Sequence, residues 1–448
     1  MPASPTTEAA SSPTSKAAEP EVNSTVVSAI EEHFRNQFEE YFGQVKNIPT
    51  ATLAESRDIL HKVEEATGVK PVLIYVTFVP PSVTPDQNRG TSSTTQNPKS
   101  KVTSPEDQLE LLMVTAKGSP IRKLVAGTTR QQVLQVAHSF RSEVTNVRSR
   151  RDYMAPAQQL YQWLVAPLEA DLKAQGVQNL VFLMDSGLRS IPLAALHDGQ
   201  EFLVEKYSVG LMPSLTLTDT RYKSIKDMQV LAMGAEKFVD LQPLPAVPVE
   251  LSLITPSLWQ GKSFLNEAFT LENLKVQRQQ KHFGMIHLAT HARFQPGQPS
   301  QSYIELWDSK LRLNQLPELG WNNPPVELLV LSGCKTALGD EQAELGFAGL
   351  SVQAGVKSAI ASLWSVSDEG TLGLMTELYQ QLKQAPIKAE ALRQAQVSMI
   401  KGKVGLKGGQ LVTSTKAVPL PPELTKLGNK NLEHPYFWAS FTMIGSPW

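Results

Sequence analysis

The stretch LLVLSGCKT, Leu328 to Thr336, sets how the rest of the chain is read. Four apolar residues run without polar alternation, two small residues follow, and then comes Cys334, the single cysteine among 448 residues. Continuous apolar runs of this kind are what parallel strands covered on both faces look like. From about residue 177 onward the same signal recurs in VQNLVFLMD, QVLAMGA, FGMIHLATH, VELLVLSGC, KSAIASLW and YFWASFTMIG, separated by helical segments. Strands alternating with helices imply a doubly wound α/β sheet. There is no tandem repeat, so the chain is not a solenoid.

Composition narrows the function classes. The formal net charge of -1 gives no global electrostatic reason to expect nucleic acid or an anionic membrane as partner. No stretch approaches the roughly 18 apolar residues of a membrane helix. One cysteine cannot close an internal disulfide, and the opening MPASPTTEAASSPTSKAAEPE has neither the basic nor the apolar region of a secretory signal. The expected location is the cytoplasm.

Residues 1–23 are Ala, Ser, Thr, Pro and Glu with little to bury, and read as a disordered tail. In STVVSAIEEHFRNQFEEYFG the residues Val26, Ile30, Phe34, Phe38 and Phe42 recur every four positions before Gly43, which predicts an amphipathic helix and its stop. A second helix is expected over Leu53 to Glu65, ending at Gly68. KPVLIYVTFVP reads as a strand with QLELLMVTA as its partner, and the polar segment between them as a mobile loop. Helices follow at about 129–147 and 153–175, the latter with Leu160, Leu164, Leu168 and Leu172 on one face. Residues 24–148 thus form a small N-terminal α/β unit ahead of a domain over 149–448.

In an open parallel sheet, ligands bind outside the carboxyl ends of the strands. Three runs deliver their last residues there: IHLATHARF brings His291, LLVLSGCKT brings Cys334, and SLWSVSDE brings Trp364 and Asp368. His291 and Cys334 are 43 residues apart, room for one crossover between neighbouring strands. An imidazole beside a thiol stabilises the thiolate, which attacks a carbonyl while the imidazole protonates the leaving amine. The oxyanion would be met by the amides of Cys334 and Ala292, and the small Gly333 and Ala292 would let a substrate main chain approach. On spacing alone, Cys334 reads first as a small, inert buried hydrophobe.

Other candidates resolve more simply. His287 and His291 have zinc-pair spacing, but on a strand and without the glutamate a metalloprotease needs, so no metal site is expected. His434, before a proline, reads as a turn residue. QGKS, Gln260 to Ser263, lacks the first glycine of a phosphate loop and is discarded. Segment 401–430, with six lysines against one glutamate, reads as a solvated loop. Asp340 reads as a residue of a loop beside the nucleophile. Asp368 reads as a natural N-cap of the helix carrying Leu372, Met375, Tyr379 and Leu382.

At HLATHARF and VLSGCKTALGDEQAELGFAGLSVQAGVKSAIASLWSVSDEGT the chain resembles the CHAT domain, a bacterial branch of the caspase-like cysteine peptidases related to separase. DSGLRSIPLAALHDGQEFLVEKYSVGLMPSL and HPYFWASFTMIG extend the resemblance over about residues 150–448. It implies a caspase-like three-layer α/β/α sandwich with a mainly parallel sheet, in which 149–225 is a degenerate companion half and 226–448 the catalytic half. It further implies a cysteine endopeptidase acting on protein or peptide substrates through a Cys334–His291 dyad, with no metal or organic cofactor. Asp368, Trp364 and Asp340 are then substrate-binding, Asp368 favouring a basic P1 residue, and NVRSRRD (Asn146 to Asp152) and the loop near Arg89 are candidate self-cleavage sites. Ala292 stands where the family usually has glycine, and Lys335 where related domains often carry an acidic or other polar residue. The alternative function is a catalytically weak scaffold or regulatory module that binds a protein partner.

Overall fold

Alternate residues of a strand point to opposite faces of its sheet, and the first strands show both faces covered. The structure is a computed structural model and describes residues 24–43, 48–81, 104–149, 151–334 and 341–448. The expected tail, the loop near Arg89, Lys335 and Asp340 lie outside the described residues, and of Cys334 only the backbone lies within them. The chain enters through α1 (Ser24–Phe42) and α2 (Leu53–Thr67), then β1 (Pro71–Val79), β2 (Gln108–Val114) and β3 (Ile121–Thr129). After α3 (Arg130–Val144), α4 (Met154–Leu164) and α5 (Glu169–Gln175) come β4 (Asn179–Met184), α6 (Leu203–Lys206) and β5 (Ser208–Leu211). Leu73 and Tyr75 of β1 pack with Phe34 and Leu60 of the first two helices. Val72, Ile74 and Val76 belong to the core on the other side, with Val133, Phe140 and Leu160. Helix, sheet and helix make the three layers.

β1 and β2 pair antiparallel, as KPVLIYVTFVP and QLELLMVTA predict. β1 also lies parallel to β4, so strands of the N-terminal region and of residues 149–225 share one half of the sheet. The continuous helix expected over 153–175 is broken by the turn Ala166–Leu168, where Pro167 withholds a backbone donor. Leu160, Leu164, Leu168 and Leu172 are nonetheless all buried.

The second half supplies β6 (Val230–Gly234), α7 (Val247–Ser252), β7 (Gly261–Leu265), α8 (Leu271–Gln280), β8 (Met285–Arg293), β9 (Tyr303–Glu305), β10 (Lys310–Arg312) and β11 (Leu328–Cys334). It continues through α9 (Glu341–Ala348), α10 (Leu350–Ala354), β12 (Ser358–Ser362), α11 (Asp368–Gln381) and α12 (Lys388–Ile400). β7, β6, β8, β11 and β12 are neighbours in that order and parallel throughout. QGKS therefore starts an edge strand. A Cβ on Gly261 would lie 1.9 Å from the Val230 carbonyl oxygen, so glycine is what lets the two strands close.

Residues 401–430 are not a solvated loop. They form β13 (Gly405–Lys407), β14 (Gln410–Val412), β15 (Ala417–Pro419) and helix α13 (Pro422–Thr425), which with β16 (Lys430–Asn431) make a separate antiparallel sheet in the order β15-β14-β13-β16. The buried Val404, Leu406, Leu411 and Leu424 hold it to the core, and Lys430 pairs with Glu369 of α11. YFWASFTMIG is split into α14 (Pro435–Trp438) and β17 (Phe441–Gly445), and that strand runs antiparallel to β12. β17 then lies parallel to β5, joining the two halves into one 13-stranded, mainly parallel sheet.

Candidate active site

β8 and β11 are adjacent and parallel, so their carboxyl ends open on the same edge. The register sets Gly333 beside His291 and Cys334 beside Ala292, after a shift between Leu331 and Gly333. Both expected dyad positions thus fall at neighbouring strand ends. A Cβ on Gly333 would lie 2.6 Å from the Thr290 carbonyl oxygen. That glycine is needed for the strands to approach, which differs from the expectation that it makes room for a substrate. Ala292 is buried and pairs on its other side with Ile304 of β9.

His291 is half-buried, and its ring lies 4.7 Å from that of Phe238. Nε2 is 2.8 Å from the Gln242 carbonyl oxygen. A carbonyl only accepts, so Nε2 carries the proton, and in the neutral ring Nδ1 is the basic nitrogen. Phe238 and Gln242 belong to the connection from β6 to α7. This fourth strand end was missed in the sequence, although QVLAMGA was recognised as a strand. β6 neighbours β8, and that adjacency was the signal that its loop must reach the same edge.

The same loop engages Asp368. Its Oδ2 accepts the Ala246 N–H at 2.6 Å. Asp368 is not the N-cap of α11: Ser367 caps it, its hydroxyl accepting the Gly370 N–H at 3.0 Å. Asp368 is the first helical residue, and its carboxylate turns toward α7. Burial raises its pKa, the Ala246 N–H opposes that, and the negative charges of Glu250, Glu369 and Glu236 add to the rise, to about 7.

His291, Gly333, Asp368, Leu244, Glu250 and Thr371 are among the residues around one narrow pocket of about 40 Å³ at this edge. Imidazole and carboxylate therefore open on a common space. Trp364 does not line it. Its indole is buried and donates to the Tyr436 carbonyl at 3.1 Å. His287 is wholly buried four residues before His291, with Nε2 2.7 Å from Glu250 Oε1 and Nδ1 3.2 Å from the Tyr379 hydroxyl. His434 caps α14 with Nδ1 and bonds the Ser149 carbonyl through Nε2 at 3.1 Å. No helix among the described residues is long and apolar enough to cross a membrane.

Separase from Saccharomyces cerevisiae, in its complex with securin, is similar in fold with a TM-score of 0.51 at 9% identity. The match covers 95% of this chain and 34% of separase, so the chain spans about a third of that protein's length and the likeness takes in the N-terminal strands. Gingipain R, an Arg specific cysteine proteinase, matches with a TM-score of 0.38 and 11% identity over 68% of this chain and 69% of its own. No curated protein matches. The family model of the CHAT domain matches residues 154–446, well over half of the sequence. With its mainly parallel sheet between two helical layers the chain is caspase-like in fold, and it belongs to the CHAT-domain family.

Proposed function

We propose that the protein is a cysteine endopeptidase that hydrolyses peptide bonds in proteins through Cys334 and His291. The observation that carries this reading is the register of β8 on β11, with the imidazole of His291 held by the Gln242 carbonyl at the strand end beside the cysteine. A base oriented by a third group is what nucleophilic catalysis requires. His291 Nδ1 takes the thiol proton, and the thiolate attacks the scissile carbonyl carbon. A C–S bond forms as the carbonyl π pair moves onto oxygen, where the amides of Cys334 and Ala292 meet it. On collapse the C–N bond breaks and the amine leaves with the imidazolium proton. Water, deprotonated by the same nitrogen, then splits the thioester and returns free Cys334.

Asp368 gives the pocket beside the dyad a negative wall, which supports a basic P1 residue. The chain's single cysteine suits a cytoplasmic location, where no disulfide is maintained. Purified protein and its Cys334→Ala and His291→Ala variants, assayed on a peptide panel and with an electrophilic thiol probe, decide the matter. Wild type is expected to label at Cys334 and cleave after basic residues, and each variant to lose about 10³-fold or more in kcat/KM. A wild type that neither labels nor hydrolyses anything the variants spare overturns the peptidase and leaves a protein-binding scaffold.

A further inference from the structure

The connection from β6 to α7 swings away from the protein surface and comes back to it. Its ends are tied: the Leu244 N–H donates to the Glu236 carbonyl at 2.8 Å, and the Glu236 N–H donates to Asn266 Oδ1 at 2.9 Å. Between those ties the chain bulges into water, with Val239 wholly exposed and Asp240, Gln242 and Pro243 exposed as well. Phe238 goes the other way. Its phenyl packs against the core and onto the imidazole of His291, the ring centroids 4.7 Å apart and the planes inclined by 59°. A phenylalanine next to a fully solvated valine is held in by what it covers, and what it covers includes this histidine.

The Gln242 carbonyl also holds the ring, 2.8 Å from Nε2, but that bond is open to water. An exposed hydrogen bond is readily traded for one to solvent, so its net contribution is small. One acceptor does not lock the ring either: χ2 of histidine is a broad, roughly two-fold torsion, and a half-turn puts a carbon where Nδ1 was. A rigid ring packed on the imidazole removes that freedom. We infer that Phe238 is a positioning residue for His291, its phenyl fixing the ring so that Nε2–H meets the Gln242 carbonyl and Nδ1 is presented as the base. The inference rests on the reading of His291 as the base of the reaction. Phe238 acts through the histidine alone, so it serves the chemical step and not substrate affinity.

The test has one arm that needs no turnover. Proton–nitrogen correlation NMR of the full chain with isotope-labelled imidazoles, slightly above the ordinary histidine pKa of about 6.5, shows a ring N–H only where exchange with water is slow. The His291 signal is identified by its loss in His291→Ala. Wild type is expected to show the His291 Nε2–H, Phe238→Ala to lose it to exchange, and Phe238→Tyr to restore it, with thermal melting as the folding control. Should Phe238→Ala not melt cooperatively, Phe238→Leu is read in its place: it keeps the core contact, lacks the flat ring and should lose the signal too. In the second arm, on a peptide the wild type cleaves, the Phe238→Ala kcat should fall about tenfold or more with KM within about twofold, and Phe238→Tyr should recover it. A wild type without the signal, or a folded Phe238→Ala that keeps it, overturns the inference. A raised KM at unchanged kcat overturns it as well, since Phe238 would then be a substrate contact. A Phe238-dependent signal in a protein that hydrolyses nothing sinks the peptidase reading alone, and cleavage by Phe238→Ala at the wild-type kcat sinks this one alone.

Discussion

A carboxylate that must meet a cation has to be ionised, and Asp368 titrates near neutrality because it is withdrawn from water among other acids. The sign follows directly. Its folded pKa, about 7, lies above the ordinary 3.8, so below neutrality the side chain is mostly protonated and uncharged, and it gains its charge as pH rises. The kcat/KM for a basic P1 peptide should therefore climb as pH increases through about 7. A matched peptide with a neutral P1 residue reports the dyad's own titration and separates it from this effect. Asp368→Asn should remove the difference between the two profiles, and identical wild-type profiles for both peptides would show that Asp368 does not touch P1. The same shift makes Asp368 a mild liability to the fold. Between about 4 and 7 the folded state binds the extra proton, so this group's contribution to stability falls as pH rises across that window.

At the scale of elements, α1 shows where sequence periodicity stops being informative. Val26, Ile30, Phe34, Phe38 and Phe42 predict the buried face, yet the buried line is Val27, Glu31, Phe34, Phe38 and Tyr41. The helix is rotated because Glu31 goes inside. Its carboxylate accepts the Tyr75 and Ser214 hydroxyls at 2.8 Å, and the Leu215 and Thr216 amides at 3.2 and 3.1 Å. A hydropathy pattern places glutamate outward, since only tertiary partners make its burial affordable. Removing it strands those donors, so Glu31→Ala should cost about 3 kcal/mol or more, measured by denaturant unfolding. A loss below about 1 kcal/mol would mean the clamp is dispensable. The long apolar runs at β1, β4, β6, β8, β11 and β12 were legible because both faces are buried. The four residues of β5 and the Lys- and Gly-rich strands β13 to β16 carry too short or too polar a signal. The candidate site divides the same way: His291 and Cys334 stand on recognisable strand ends and Asp368 opens the helix after one, whereas Gln242, Ala246 and Glu250 sit in a loop and short helix whose role depends on β6 lying beside β8.

The whole molecule turns on the seam between its two halves. β17 and β5 pair through a single register position, Ile444 with Leu211, so backbone pairing alone is a weak join. Side chains close it. The Trp448 indole donates to the Asn179 amide oxygen of β4 at 2.9 Å, Arg393 of α12 donates to the Glu205 carbonyl at 2.6 Å, and the Phe202 and Trp438 rings meet edge to face at 5.1 Å. A second weld is made by α9. Glu344 of α9, the helix that follows residues 335–340, accepts the Gly187 N–H at 3.0 Å and the Ser190 hydroxyl, both from residues 149–225. Residues 226–448 cut free would lose those partners, open the β17 edge to water and leave the buried Glu344 carboxylate without those two donors. Residues 226–448 expressed alone should therefore be insoluble or melt without cooperativity. The full chain should unfold in one transition, with near-ultraviolet and far-ultraviolet circular dichroism coinciding. Two separated transitions, or a soluble and cooperatively melting 226–448, would mean that residues 149–225 are an attachment and not part of the core that carries the proposed dyad.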